Sequence, residues 1–274
     1  MILIERHHAL LEKLGLSTLD GVRSFQGEII ERIPGKRDVQ RFRAKAESGR
    51  ELVFYLKRHW RSDRKDALLS LLKHGHLWSV ARVEWENARV LQAAGFHTAA
   101  LVACGDEINL MGEKFSFLLT EAAAGPMTLD QFVRNRQDLP RTRHVFDSLA
   151  RELQRLHQRG LSLPDLFARH IFFDPDAKSI EFCFIDVARL VRRRNLSITQ
   201  QARALAALNV TAPLRFVSAW ERVRFLRVYV GEKELRPLVD RISSRTARLL
   251  ERKKYRDFLT PALTSDLPAT RREG

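Results

Sequence analysis

Hydrophobic and polar residues alternate along three early segments, "GEIIERI", "DVQRFRAKA" and "ELVFYLKRHW". In the last, Leu52, Phe54 and Leu56 interleave with Val53, Tyr55 and Lys57. A period of two places these sets on opposite faces of a strand. "IPGKRD" and "ESG" supply the turns between the segments. Ahead of them, residues 1–20 read as one amphipathic helix ending near "GLSTLDG". From 62 to 94 the spacing becomes helical. "RKDALLSLLKHG" forms one short helix. "SVARVEWENARVLQAAG" forms another, with Val80, Val83, Ala88 and Leu91 on one side and Gly95 as its stop. Two further strands, "TAALVACGD" and "EKFSFLLTEA", flank the turn region "EINLMG".

The second half has a different texture. "AAAGPMTLDQFV" leads into a helix with Thr128 as its N-cap. Val145, Leu149, Leu153 and Leu156 then follow helical spacing until Gly160. Next comes "LSLPDLFARHIFF", in which Asp165 stands directly behind a proline and His170 follows five positions later. "HIFFD" and "IEFCFID" read as two short strands around "PDAKS", and everything beyond 198 is helical in pattern. This order predicts an α+β fold of two lobes. Residues 1–124 form a small antiparallel-sheet lobe that includes the Glu84 helix. Residues 125–274 form a mainly helical lobe. A cleft between unlike lobes is a common ligand site.

Composition narrows the setting. A chain of 274 residues, 45% hydrophobic, can bury a substantial core. The two cysteines, Cys104 and Cys183, lie in apolar stretches and predict no disulfide framework. Charges interrupt the N-terminal apolar run after four residues, which is unlike a signal peptide. No window resembles a transmembrane helix, so a soluble cytoplasmic protein is expected. The formal charge of +15 points to an anionic partner: nucleic acid, a membrane surface or a phosphorylated substrate. No zinc-finger spacing or aromatic RNA-binding motif accompanies it. His7, His8, His74 and His76 invite a metal reading, but no cysteine or carboxylate completes a set and exposed histidines are expected.

Three charged residues stand where a bland role fits poorly. Lys57 sits on the alternating strand, Glu84 in mid-helix beside Trp85, and Asp186 at the end of the apolar strand "EFCFID". Singly they read as a snorkelling lysine, a solvated glutamate and a strand terminator. With Asp165 added, their order is that of the protein-kinase signature set. The interval from Asp165 to His170 equals that from base to asparagine in H-R-D-L-x-x-x-N, and Leu166 takes the leucine position. The departures are equally specific. Leu163 and Pro164 replace His and Arg, "DVA" stands for D-F-G, and Tyr55 fills the small position before the lysine. No G-x-G-x-x-G precedes Lys57; "PGKRD" at 34–38 is the one candidate phosphate-covering turn.

Over roughly residues 25–230 the chain resembles the bacterial lipopolysaccharide core kinases, which phosphorylate heptose or Kdo sugars. The resemblance runs through "YLKRHW", "ALLSLL", "EWENARVLQAAG", "SFLLTE", "LARELQRLHQRGL", the Asp165–His170 loop, "FIDVARL" and "AWERVRFLRVYVG". In that family the asparagine is commonly histidine and the metal motif lacks Phe-Gly, whereas Leu163-Pro164 remains a departure. The resemblance implies transfer of the ATP γ-phosphoryl group to an inner-core sugar hydroxyl, on heptose ahead of Kdo. Lys57 would hold the α- and β-phosphates and Glu84 would orient it. Asp186 would bind Mg²⁺, with His170 as a second candidate ligand or site residue, and Asp165 would act on the acceptor hydroxyl. Backbone from Glu121 to Ala123 would meet adenine.

The implied partners are the lipopolysaccharide core or its lipid-linked precursor and the anionic inner face of the inner membrane. Participation of an acyl carrier protein stays open. Arg241, Arg245, Arg248, Arg252 and Arg256 recur along one side of a C-terminal helix whose Leu238, Ile242, Leu249 and Leu250 lie on another, a pattern suited to such a surface. The rival readings are a pseudokinase scaffold, favoured by Leu163-Pro164, and a nucleic-acid binder with steeply salt-dependent affinity. A choline- or aminoglycoside-type kinase sits poorly with +15, because its substrate is a cation.

Overall fold

The computed structural model describes residues 1–46, 49–60, 78–109, 112–135, 138–212 and 216–251. The helix expected over "RKDALLSLLKHG", with His74 and His76, lies outside them, as do Arg252 and Arg256. The chain divides into two compact units: residues 1–124 with 183–189, and 125–182 with 190–274.

The elements of the first unit are β1 (Ile2–Leu3), α1 (His8–Lys13), α2 (Leu19–Ser24), β2 (Glu28–Ile33), β3 (Arg37–Lys45), β4 (Glu51–Trp60), α3 (Val80–Ala93), β5 (His97–Thr98), β6 (Leu101–Asn109) and β7 (Gly112–Glu121). Its sheet runs β1-β6-β7-β4-β3-β2, antiparallel throughout. The long strands fall where period-two patterning puts them. The N-terminus differs from the single helix expected of residues 1–20: Ile2–Leu3 pairs with β6 opposite Cys104 and Ala103, and two short helices follow. Gly15, at φ 71°, breaks the helical run, and Thr18 restarts it by accepting from the Gly21 amide (3.1 Å).

The two faces of β4 have separate uses. Phe54, Leu56 and Arg58 point toward α1 and α2, where Leu11, Leu16, Val22, Phe117 and Leu119 complete a buried core. Phe42 stacks on Phe54 (5.2 Å) and meets Phe25 edge-on (4.7 Å). Each such side chain contributes about 1.5–3 kcal/mol on burial. Lys57 and His59 alternate to the other face. There α3 buries Ala81, Trp85, Ala88 and Leu91, while Val80 and Val83 are only half-buried. Ser79 caps α3, accepting from the Arg82 amide (3.0 Å) and donating to Asp106 (2.8 Å).

The second unit contains β8 (Met127–Thr128), α4 (Leu129–Asn135), α5 (Leu139–Gln158), β9 (Leu161–Ser162) and β10 (Ile171–Phe173). β11 (Cys183–Phe184) belongs to the first unit; β12 (Val191–Arg192), α6 (Ile198–Val210), α7 (Ala219–Val230) and α8 (Arg236–Leu250) complete the second. Thr128 caps α4 as expected, accepting from the Gln131 amide (3.2 Å). Val145, Leu149, Leu153 and Leu156 are buried along α5. On α8, Leu238, Ile242 and Leu249 are buried, whereas Leu250 is exposed. A division at 124/125 leaves Cys183–Arg189 in the helical half, but that segment packs with the first unit. The cause is pairing: β11 lies parallel to β5, with Cys183 opposite His97. Both cysteines are buried and free. Among the described residues, no helix is long and apolar enough to cross a membrane.

Candidate active site

In the first unit the structure brings three of the singled-out residues together. Lys57, on β4 between Val39 and Leu118, places Nζ 2.9 Å from both carboxylate oxygens of Glu84 and 3.2 Å from Asp186 Oδ1. Glu84 is buried on α3 and is no solvated glutamate. Burial works against the Lys57 charge, but Glu84 and Asp186 outweigh it and hold the ammonium pKa above its ordinary value. Burial raises the Glu84 carboxyl pKa, with the Asp186 charge adding to it and Lys57 opposing. The cluster is therefore one electrostatic unit in which the lysine keeps its proton.

Asp186 adopts φ 56°, and among the described residues no other non-glycine has a positive φ. Aspartate tolerates this region better than most side chains, at a cost of about 1–3 kcal/mol. The segment is held from α3. Asn87 is buried and donates from Nδ2 to the carbonyls of Val187 (3.1 Å) and Ala188 (3.0 Å). Asn87 lies three residues beyond Glu84, so one helix face fixes both the lysine and the turn after Asp186. The sequence reading passed over Asn87. Its signal was a second polar residue at i+3 on a buried helix face.

"PGKRD" forms the tight turn between β2 and β3, with Gly35 at φ 68°. Arg37, within that stretch and the first residue of β3, pairs directly across from His59 and ion-pairs with Glu31. Both Arg37 Nε and His59 Nε2 are buried without a hydrogen-bond partner among the described residues. Burial first, then the Lys57 and Arg37 charges, push the His59 pKa down to about 3, so its ring is neutral. The segment expected to meet adenine is anchored by Glu121 N to Ala100 O (2.9 Å) and Ala122 N to Val53 O (2.8 Å). Ala123, half-buried, follows directly. His7 corrects the expectation of an exposed histidine: it is buried edge-on against Phe54 and lies 2.9 Å from the Glu121 carboxylate.

Asp165 and His170 lie in the second unit, in a loop strung between β9 and β10. β9 pairs with β12 and β10 with β8, so both ends are fixed. Gly160 admits the Arg193 carbonyl where any Cβ would collide at 1.9 Å. Leu163, Pro164, Leu166, Phe167 and Ala168 are buried, whereas Asp165 is half-exposed among them. The Ala168 amide donates to Thr211 Oγ1 (2.9 Å). His170 is buried with both ring nitrogens engaged: Nδ1 lies 3.2 Å from the Asp165 carbonyl, and Nε2 accepts from Arg169 Nε (3.0 Å). Nδ1 therefore carries the proton in the neutral ring. Among the described residues, no group of three or more metal-ligating side chains occurs.

A family model for lipopolysaccharide kinases (Kdo/WaaP) matches residues 20–229. The chain belongs to the lipopolysaccharide kinase family. This kinase is accordingly a phosphotransferase with a hydroxyl acceptor. It is 26% identical over 264 residues to the lipopolysaccharide core heptose(I) kinase WaaP of Pseudomonas aeruginosa, spanning 89% of this chain and 95% of that protein. The solved structure of WaaP in complex with acyl carrier protein superimposes with a TM-score of 0.67 at 24% identity, over 91% of this chain and 99% of that one. That likeness establishes the two-lobed kinase-like fold.

Proposed function

We propose that this kinase transfers the γ-phosphoryl group of ATP to a heptose hydroxyl of the lipopolysaccharide inner core. The observation that carries the reading is Lys57 held by Glu84 and Asp186 within 3.2 Å, in a member of a lipopolysaccharide kinase family. Heptose, rather than Kdo, follows the activity of the Pseudomonas relative. Phosphoryl transfer asks for positioning and charge neutralisation more than covalent chemistry. Lys57 supplies the fixed cation for the phosphates, and Glu84 holds it in place. Arg37 and His59 add unpartnered nitrogens on the same strand face. The backbone of Glu121 and Ala123 receives adenine. Asp165 accepts the acceptor's proton or orients its hydroxyl.

Mg²⁺ arrives with ATP as co-substrate. It is usually held by one or two carboxylates plus the phosphates, and Asp186 offers a carboxylate of that kind. His170 fits it less well: its nitrogens face the Asp165 carbonyl and Arg169, which supports a role in bracing the loop. The scaffold reading loses ground for a related reason. Leu163 and Pro164 are packed inward, so their exchange for His-Arg alters support of the loop and leaves the carboxylate in place.

The partners proposed are the core glycolipid, an anionic membrane surface and, by likeness to the solved complex, an acyl carrier protein. The deciding experiment is transfer from γ-labelled ATP with Mg²⁺ onto inner-core glycolipid with heptose and onto a truncated form ending at Kdo. Label on the first only is expected. Label on both would move the acceptor to Kdo, and Mg-ATP binding without label on either would favour the scaffold.

Asn87→Ala provides a second check. It leaves the Val187 and Ala188 carbonyls without their side-chain donor, at about 1–3 kcal/mol. The expected result is a Mg-ATP KM raised about tenfold with the acceptor KM unchanged, and substantial rescue in Asn87→Gln. An equal fall in stability with no change in the Mg-ATP KM would reduce Asn87 to a packing residue.

A further inference from the structure

Away from the nucleotide residues, an open groove of about 480 Å³ runs between α6 and α8. Thr199, Ala202 and Arg203 line it from α6, and Asp240, Arg241, Ser244, Arg245 and Arg248 from α8. The spacing i, i+3, i+4 on one helix and i, i+4, i+8 on the other turns a continuous row of each toward the groove. The walls are built. Arg241 Nη1 donates to Thr199 Oγ1 across the helices (3.1 Å), and Asn209 Nδ2 donates to Thr246 Oγ1 (3.0 Å) further along the same pair. Among the described residues, four arginines and Asp240 are the charged groups that line it. Arg245 Nε is buried with no hydrogen-bond partner among the described residues. A buried donor without an acceptor is unfavourable until one enters, and the basic lining favours an anion in that place.

We infer that the α6–α8 groove binds a sugar-borne phosphate group of the glycolipid acceptor. This rests on the proposed reaction, which makes an anionic glycolipid the substrate. A flat membrane surface would engage any exposed basic face, whereas here Arg203 on α6 and Arg245 on α8 line one open groove between two helices. That space is wider than one phosphate ion needs and suits a phosphate carried on a sugar. The guanidinium fork matches phosphate geometry, and the Thr199 and Ser244 hydroxyls can serve the saccharide. Arg241, Arg245 and Arg248 of the arginine row read from the sequence thus form one wall of a site, and Arg203 on α6 stands on the other.

The test is calorimetric titration of a deacylated, phosphorylated diglucosamine headgroup into the full chain and into Arg203→Gln/Arg245→Gln. Loss of two charge-assisted contacts predicts at least about tenfold weaker binding in the variant. Inorganic phosphate at equal concentration is expected not to displace the headgroup. Equal affinities in the two proteins, ready displacement by inorganic phosphate, or binding only to phosphatidylglycerol vesicles would each overturn the inference. In the transfer assay, the variant is expected to keep wild-type kinetics for ATP and for a phosphate-free heptose acceptor. Failure of the wild type to phosphorylate any heptose acceptor would sink the kinase reading and leave the binding result to stand by itself.

Discussion

Asp165→Asn is expected to bind Mg-ATP as the unchanged chain does and to transfer its phosphoryl group about 10²–10⁴ times more slowly. The substitution is nearly isosteric. The Asp165 carbonyl still receives the amide of Phe167 (2.8 Å) and faces His170 Nδ1, so the loop keeps its shape. What changes is one half-exposed carboxylate in a stretch whose neighbours are buried. Single-turnover kinetics with labelled ATP read the chemical step, and nucleotide fluorescence reads binding. Lys57→Met is the contrast, because removing the cation between Glu84 and Asp186 should weaken nucleotide binding itself. A wild-type rate in Asp165→Asn would end the proposed role for this loop. Equal loss of binding in both variants would mean that Asp165 acts on the fold.

What the sequence made legible follows the reach of each interaction. Strands β3 and β4 and helix α3 appear in periodicity, because burial of one face is a local pattern; β6 and β7 show instead as apolar runs buried on both faces. Lys57, Glu84, Asp165 and Asp186 could be picked out because their chemical types recur in a known order. Asn87 offered only its polarity on a buried helix face, since its acceptors at Val187 and Ala188 lie a hundred residues further on. Arg203 was lost for a similar reason: only the packing of α6 on α8 joins it to Arg245. β1 is two residues long, too short to show a period, and was absorbed into an expected helix. His7 was read as exposed because nothing near it in the chain reveals Phe54 or Glu121. Charges on strands mislead in the same way, and Arg58 is the instructive case.

Arg58→Ala is expected to lower stability by about 3–5 kcal/mol, a large share of the roughly 5–15 kcal/mol that holds a typical protein folded. Its guanidinium is 3% exposed and its partner Asp38 6%. Nε donates to Asp38 (2.9 Å), and Nη1 is shared among the carbonyls of Val22, Arg23 and Phe25 (2.8–3.0 Å) at the end of α2. A cation there satisfies carbonyls that helix geometry leaves unpaired and favours the negative end of the helix dipole. Removing it strands a buried carboxylate whose remaining side-chain donor among the described residues is Trp60 Nε1 (3.1 Å). Urea unfolding of Arg58→Ala, Asp38→Asn and the double variant measures the coupling. The double variant should recover part of the loss, because the introduced amide carries no charge and its oxygen still accepts from Trp60. A shift below about 1 kcal/mol in Arg58→Ala would mean that α2 is held by its apolar contacts alone. Arg58 and Lys57 are neighbours on opposite faces of β4. The strand that anchors the N-terminal helices therefore also carries the lysine, and loosening one face reaches the other through the backbone they share.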